Sequence, residues 1–136
     1  MSVRIEVRYE GDLHTLATHG PSGASLETDA PKDNEGRGER FSPTDLLATA
    51  TGSCMLTVMG ILAKRKGWHM DGARVSVDKD MVADPVRRIG RLGLRFEMPA
   101  GIPADARPLL ERAAHTCPVH KSLHPDVKVE TAFLWS

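Results

Sequence analysis

The chain has 136 residues, the length of one ordinary domain, and its 18 Lys and Arg side chains balance 18 Asp and Glu side chains. This balance supplies no overall positive field, so we expect neither nucleic acid nor a membrane as a partner. The N-terminus alternates apolar and charged residues and no segment is expected to reach membrane-spanning length, which favours a cytoplasmic protein with a single domain, residues 1–136.

The first third of the chain is typical of an antiparallel meander. Four apolar side chains share one face of its first segment: Val3, Ile5, Val7 and Tyr9. Charged residues fill the other face, which is the period-two pattern of a half-buried strand. Turn residues then predict strands near residues 13–18 and 24–28. Residues 29–41 are polar and lack an apolar period, so we expect a mobile loop of the kind that often frames a site, and this loop carries Arg37 and Arg40.

A long helix is predicted next. Ser42 is a typical N-cap residue, Pro43 suits the first helical position, and Asp45 is a first-turn acid. The apolar residues then follow a helical period until Gly67, a typical C-terminal stop. A helix of about 24 residues is roughly 36 Å long. It is too long and too apolar for this chain to cover alone, which predicts that a second subunit packs against it.

The second half of the chain returns to strand and helix patterns. The predicted elements follow in this order: strands at 73–81 and 92–98 joined by a hairpin turn at Asp84–Pro85, a helix at 103–114, a short helix after Pro118, and a strand at 127–135. No repeat or low-complexity segment interrupts them. The pattern therefore mixes sheet and helix within one chain.

Two cysteines are the most distinctive chemical groups. Cys54 lies within the long helix among small residues, and Cys117 lies directly before Pro118 at the start of the short helix. A sulfur at a helix N-terminus is close to the positive end of the helix dipole, which favours the thiolate. If the fold brings the two together, they form a dithiol redox pair. The alternative is that each cysteine is a small packed hydrophobe.

Two motifs carry a resemblance to a known family. The segment SPTDLLA at 42–48 leads to GSC at 52–54, and AAHTCPVHK occupies 113–121. With these motifs the chain resembles the OsmC/Ohr family, the osmotically inducible protein C and organic hydroperoxide resistance proteins, and is nearest to its OsmC-like branch. The resemblance implies an α+β fold in which antiparallel sheets wrap around a long central helix and two subunits intertwine as a homodimer.

The same resemblance implies a thiol-dependent peroxidase that reduces organic hydroperoxides to alcohols in the oxidative stress response. Cys54 is then the thiol that attacks the peroxide, and Cys117 is the thiol that resolves it to a Cys54–Cys117 disulfide. A small thiol or a lipoyl-type compound is implied as the reductant. No cofactor and no metal are expected.

Two sulfur atoms do not suffice for fast catalysis. A lowered thiol pKa raises the thiolate fraction but weakens the nucleophile, so the net gain is only about two- to threefold. We therefore expect a guanidinium that stabilises the departing oxyanion, from Arg37 or Arg40, with solvated loop charges as the alternative. Peroxidases of the family hold a Glu after the helix-starting Pro to orient their Arg. This chain has Thr44 there, followed by Asp45, which is either an orienting group or a helix-start acid.

Two other functions stay open. Four residues within ten positions resemble a set of metal ligands: His115, Cys117, His120 and His124. They lack the paired spacing of a structural zinc site. The other function is a non-catalytic thiol redox sensor or small-ligand binder on the same fold. Its apolar pocket would be lined by residues of the long helix: Leu46, Ala50, Met55 and Met59.

Overall fold

The computed structural model describes residues 1–136, which divide into two compact units, residues 1–47 and residues 48–136. The single-domain organisation stays a prediction. The first unit contains an antiparallel meander, in the order β1-β2-β3, whose strands are β1 (Ile5–Gly11), β2 (His14–His19) and β3 (Ser25–Asp29). The three predicted strands are therefore confirmed, with bounds that shift by a residue or two. The loop after β3 is irregular apart from a 3-10 turn at Lys32–Asn34.

The apolar face of β1 is uncovered in the single chain. The apolar side chains of β1, and Val3 just before it, are all more than half exposed: Val3 56%, Ile5 60%, Val7 64% and Tyr9 64%. The prediction of a half-buried strand is therefore wrong for one chain by itself. The physical reason is that the first unit has one sheet and no second layer of its own to bury an apolar face.

Helix α1 (Pro43–Lys66) begins and ends where the sequence predicts. The Ser42 N–H donates to Asp45 Oδ2 at 2.9 Å, and the Asp45 N–H donates to Ser42 Oγ at 3.1 Å. This reciprocal pair is a capping box, which satisfies two backbone donors at the helix start. At the other end Gly67 takes a left-handed conformation, with φ of 75°, that ends the helix.

Helix α1 is also long and apolar enough to span a membrane, judged by length and composition alone. The expectation that no segment reaches this length is therefore wrong, because the 24 residues carry a single acid in the first turn and no basic residue before the last turn. The core helix of a soluble protein passes the same test. Within this chain, 33% of the most apolar 18-residue stretch of α1 is buried.

The second unit begins within α1 and adds a three-stranded sheet and two helices. Its further elements are β4 (Arg74–Val82), β5 (Arg88–Met98), α2 (Arg107–Ala114), α3 (Pro118–Ser122) and β6 (Lys128–Trp135). A 3-10 turn at Ala104–Ala106 leads into α2, so the predicted helix at 103–114 begins as a tighter turn. All the predicted strands and helices of this half are present.

One pairing in the second sheet departs from expectation. The strands lie in the order β4-β5-β6, and β4 pairs antiparallel to β5, but β6 pairs parallel to β5. The expectation of purely antiparallel sheets is wrong for this pair. The long connection through α2 and α3 carries the chain back to the same end of the sheet, which is what a parallel neighbour requires.

A stripe of small and flexible side chains joins α1 to this sheet. Its buried members are Ala48, Thr51, Gly52, Met55, Met59 and Ala63. A Cβ atom at Gly52 would lie 2.9 Å from Val77 Cγ2 and 3.2 Å from Val75 Cγ1, so glycine sets how closely the helix approaches β4. Another face of the helix stays uncovered, with Ile61 47% exposed.

We predict that Gly52→Ala lowers the free energy of unfolding by about 1–2 kcal/mol, because an added methyl group overpacks two stiff valines and outweighs the gain in helix propensity. Urea denaturation followed by Trp fluorescence, at equal protein concentrations, measures it. Gly60→Ala is the matched control: it lies in the same helix, and its Cβ would have no neighbour within 4 Å. We expect Gly60→Ala to stabilise by about 0.5–1 kcal/mol. Equal effects of the two substitutions would contradict this packing argument.

Candidate functional site

The fold brings the two cysteines together within the second unit. Cys54 lies on α1, and Cys117 lies at the first turn of α3. Both are free thiols, and their side chains are hydrogen-bonded to each other. Residues that lie far apart in the sequence thus form a dithiol pair, and neither cysteine stands alone in the core.

The two thiols differ in accessibility. Cys117 has no exposed surface, whereas Cys54 is only partly buried. Burial raises the pKa of Cys117, and the neighbouring Cys54 raises it further. Cys54 is therefore the sulfur that a molecule from solvent can reach, and Cys117 keeps its proton at neutral pH.

The raised pKa of Cys117 corrects the expectation of a thiolate at this helix start. Cys117 is the N-cap of α3 as the sequence suggests, and its Sγ accepts a hydrogen bond from the His120 N–H at 3.3 Å. Backbone donors of this kind lower a thiol pKa, but here burial outweighs them. Helix α3 has only 5 residues, so few aligned peptide dipoles act on the sulfur.

His120 supplies no positive charge next to this sulfur. Its pKa is lowered first by burial and then by the neighbouring His115, whose ring centroid lies 5.9 Å away. A neutral imidazole cannot form an ion pair with a thiolate. The thiol pair therefore lies in an environment that keeps the buried sulfur protonated.

The candidate arginines lie in the first unit, and each is paired with a carboxylate. Arg37 Nη2 is 3.1 Å from Asp12 Oδ2, and Arg40 Nε is 3.3 Å from Glu27 Oε2. Both guanidinium groups are more than half exposed, at 57% and 55%. Sequence reasoning missed Asp12 and Glu27, because their pairing depends on strand register and on the path of the loop after β3. A role for either arginine in catalysis stays a prediction.

The two residues that replace the family carboxylate at the helix start have local partners. Asp45 belongs to the capping box of α1, and Thr44 Oγ1 lies 3.2 Å from Ser42 Oγ. The geometry of Asp45 is that of a helix-start acid, one of the two roles predicted for it. An orienting role for Thr44 or Asp45 toward an arginine stays a prediction.

The histidines near Cys117 do not gather into one set of ligands. His124 Nδ1 accepts a hydrogen bond from the Asp126 N–H at 3.0 Å, and His115 Nε2 lies 3.3 Å from Thr131 Oγ1. The sole group of three potential metal ligands whose donor atoms converge lies elsewhere in the chain. Closeness in sequence therefore does not make these residues a metal site.

The apolar pocket predicted along α1 is corrected at two of its four residues, whereas Leu46 and Ala50 are partly exposed. Met55 and Met59 have no exposed surface and belong to the packed core of the second unit. Both methionines lie on the stripe that faces the sheet, so they cannot line a pocket that is open to a ligand. A ligand could contact these two methionines only if the core of the second unit were unpacked.

Comparisons with known proteins agree on the family of proteins to which this chain is similar. The sequence profile described as OsmC-like protein matches residues 36–132. A protein of Psychrobacter arcticus 273-4, provisionally described as an osmotic stress induced and detoxification response protein, is 42% identical, with a TM-score of 0.91 over 96% of this chain and 94% of that chain. None of the curated proteins matches.

Two further solved structures resemble the chain at lower identity. An organic hydroperoxide resistance protein OsmC from Legionella pneumophila is 16% identical, with a TM-score of 0.76 over 98% of this chain and 96% of that chain. The organic hydroperoxide resistance protein OhrB of Bacillus subtilis is 19% identical, with a TM-score of 0.70 over 98% of both chains. At these identities the likeness shows a shared fold.

We predict that iodoacetamide at pH 7 alkylates Cys54 at least about tenfold faster than Cys117, because burial keeps the latter sulfur covered and protonated. Peptide mass spectrometry after timed quenching measures the two rates. The same reaction in urea is the control, and there both cysteines should react at similar rates. Faster modification of Cys117 in the native protein would contradict the assignment of Cys54 as the reachable sulfur.

Proposed function

Because this chain belongs to the OsmC-like family, we propose that it is a thiol-dependent peroxidase that reduces organic hydroperoxides to alcohols. The observation that carries the proposal is the hydrogen-bonded thiol pair, in which Cys54 is reachable and Cys117 is buried. The names of the similar proteins from Legionella pneumophila and Bacillus subtilis support organic hydroperoxides as the substrate class.

In the first step the Cys54 thiolate attacks the outer oxygen of the hydroperoxide. The O–O bond breaks, the alkoxide takes a proton and leaves as the alcohol, and Cys54 becomes a sulfenic acid. A protonated Cys117 suits this step, since its S–H can donate a hydrogen bond to the thiolate. The raised pKa of Cys117 supports this role.

In the second step the Cys117 sulfur attacks the sulfur of the sulfenic acid. A disulfide forms between Cys54 and Cys117, and the hydroxyl group leaves as water with the proton that Cys117 gives up. A dithiol or two monothiols, of the small-thiol or lipoyl type, then reduce the disulfide and are themselves oxidised to a disulfide. The enclosed position of Cys117 favours this order, because an oxidant from solvent meets Cys54 first.

We assign the stabilisation of the departing oxyanion to Arg37 or Arg40. A planar guanidinium offers several fixed donors, and groups of this kind supply the largest part of many rate enhancements. Asp12 and Glu27 hold the two side chains in the first unit. A guanidinium has five N–H donors, so each arginine keeps donors for an oxyanion beside its carboxylate partner.

We place this reaction in a homodimer in the cytoplasm. The uncovered apolar row of β1 and the exposed Ile61 on α1 are surfaces that a second copy could bury. The reducing cytoplasm keeps both thiols free between turnovers, so the disulfide is a transient product.

We predict that the protein consumes cumene hydroperoxide faster than hydrogen peroxide when dithiothreitol or a dihydrolipoyl compound is the reductant. Cys54→Ser should abolish turnover, and Cys117→Ser should leave Cys54 open to overoxidation, because no thiol traps its sulfenic acid. Peroxide consumption assays and intact mass spectrometry measure these outcomes. Turnover in Cys54→Ser would refute the mechanism. A disulfide that forms in the wild type but is not turned over by any dithiol would instead favour a redox sensor.

We also predict that substituting the acting arginine by glutamine lowers kcat/KM for the organic hydroperoxide by about 100-fold or more, the typical effect of removing an oxyanion donor. Arg37→Gln and Arg40→Gln are assayed side by side. Arg4→Gln, at an exposed position on the same unit, is the control and should keep full activity. Full activity in both test variants would assign Arg37 and Arg40 to the solvated loop surface.

A further inference from the structure

A second cluster of metal-ligating side chains lies on the meander of the first unit. Glu10, His14 and Glu27 come from β1, β2 and β3, and one potential ligand atom from each lies within 4.8 Å of the other two. The cluster contains neither cysteine. Its link to the proposed peroxidase reaction is the ion pair between Glu27 and Arg40.

The imidazole of His14 is held from behind by a buried carboxylate. His14 Nδ1 lies 2.6 Å from Asp29 Oδ1, and the side chain of Asp29 is only 3% exposed. The second ring nitrogen, Nε2, faces the two glutamates and is hydrogen-bonded to Glu27 Oε1 at 3.2 Å, so a metal ion bound there would take the place of the Nε2 proton. A carboxylate behind the ring of a histidine is the usual outer partner in protein metal sites, because it fixes the tautomer and orientation of the ligand.

The two glutamates are held by arginines in the same manner. Arg8 Nη2 lies 2.9 Å from Glu10 Oε2, and Arg40 Nε lies 3.3 Å from Glu27 Oε2. The other oxygen of each glutamate, Oε1, faces His14 Nε2. Each of the three side chains therefore has one polar atom fixed from outside and one polar atom directed to the centre of the cluster.

The spacing at the centre matches what one metal ion requires. Nε2 of His14 is 3.2 Å from Glu27 Oε1 and 3.6 Å from Glu10 Oε1. A tetrahedral ion bound at about 2.0–2.2 Å from each ligand separates neighbouring ligand atoms by about 3.3–3.6 Å. Three lone-pair donors that face one another repel unless a positive charge lies between them. A proton on Nε2 can satisfy one of the two contacts well, whereas a metal ion satisfies both.

We propose that Glu10, His14 and Glu27 form a binding site for a divalent transition-metal ion, with Zn²⁺ the best match. One imidazole with two carboxylates suits zinc and its neighbours in the first transition row better than calcium or magnesium, which prefer oxygen ligands alone. Three protein ligands leave a fourth position for water or a small ligand. Asp29, Arg8 and Arg40 orient the ligands without touching the ion.

The test is a calorimetric titration of the metal-free full-length protein with Zn²⁺. A Cys54→Ser/Cys117→Ser background removes the thiols as competing ligands. We expect one saturable equivalent of Zn²⁺, loss of that binding in His14→Gln, and about 10- to 100-fold weaker binding in Asp29→Asn, which removes the outer partner. His19→Gln is the matched control, since His19 lies on the same sheet with its Nδ1 bonded to Ser22 Oγ. The His19→Gln variant should bind Zn²⁺ with the same affinity as the background.

The outcomes are separable from those of the peroxidase assay, since the titration reads no activity. Binding of equal strength in the background and in His14→Gln, or no saturable binding in the background, would overturn the proposal and leave a proton as the occupant of the cluster. Circular dichroism checks that each variant is folded. If the cysteine variant fails to fold, Co²⁺ absorption of the wild type replaces the titration. Ligand-field bands without a thiolate charge-transfer band support the site, and thiolate bands alone overturn it.

Discussion

The contact between two sulfur atoms is the interaction on which the proposed chemistry of this chain depends. It exists because α1 carries Cys54 along a surface that packs on the sheet, while the turn before α3 delivers Cys117 to the same place. The environment then makes the two thiols different. Burial holds the proton on Cys117, and partial exposure leaves Cys54 open to solvent. Two identical side chains thereby differ in accessibility and in how firmly they hold a proton.

The close packing of α1 on the sheet explains how the two sulfur atoms come close to each other. Gly52 lies two residues before Cys54 and lets the helix backbone approach Val75 and Val77. A bulkier residue would move this turn away from the sheet, and the position of Cys54 would move with it. The chain has few elements with which to cover apolar surface. A chain of 136 residues cannot surround a helix of 24 residues with its own elements, and the faces of α1 and β1 stay uncovered.

The sequence predicts the elements of this fold well and their spatial relations less well. Capping residues such as Ser42 and Gly67 act locally, so the bounds of α1 are correct. The parallel pairing of β6 with β5 depends on long-range packing, which no local pattern encodes. The partnership of the cysteines came from the family motifs, not from spacing. The ligands around His14 were missed because they are spread over three strands and meet only through register.

The parallel crossover between β5 and β6 would give the proposed disulfide a mechanical effect as well. Cys117 lies in the middle of that connection, so a bond to Cys54 would tie the crossover to α1 and close a long loop of the chain. Closing a loop of this size restricts the unfolded ensemble and is worth about 4 kcal/mol. The oxidised molecule would therefore resist denaturation more than the reduced one, and each turn of the proposed cycle would alternately tighten and relax the same scaffold.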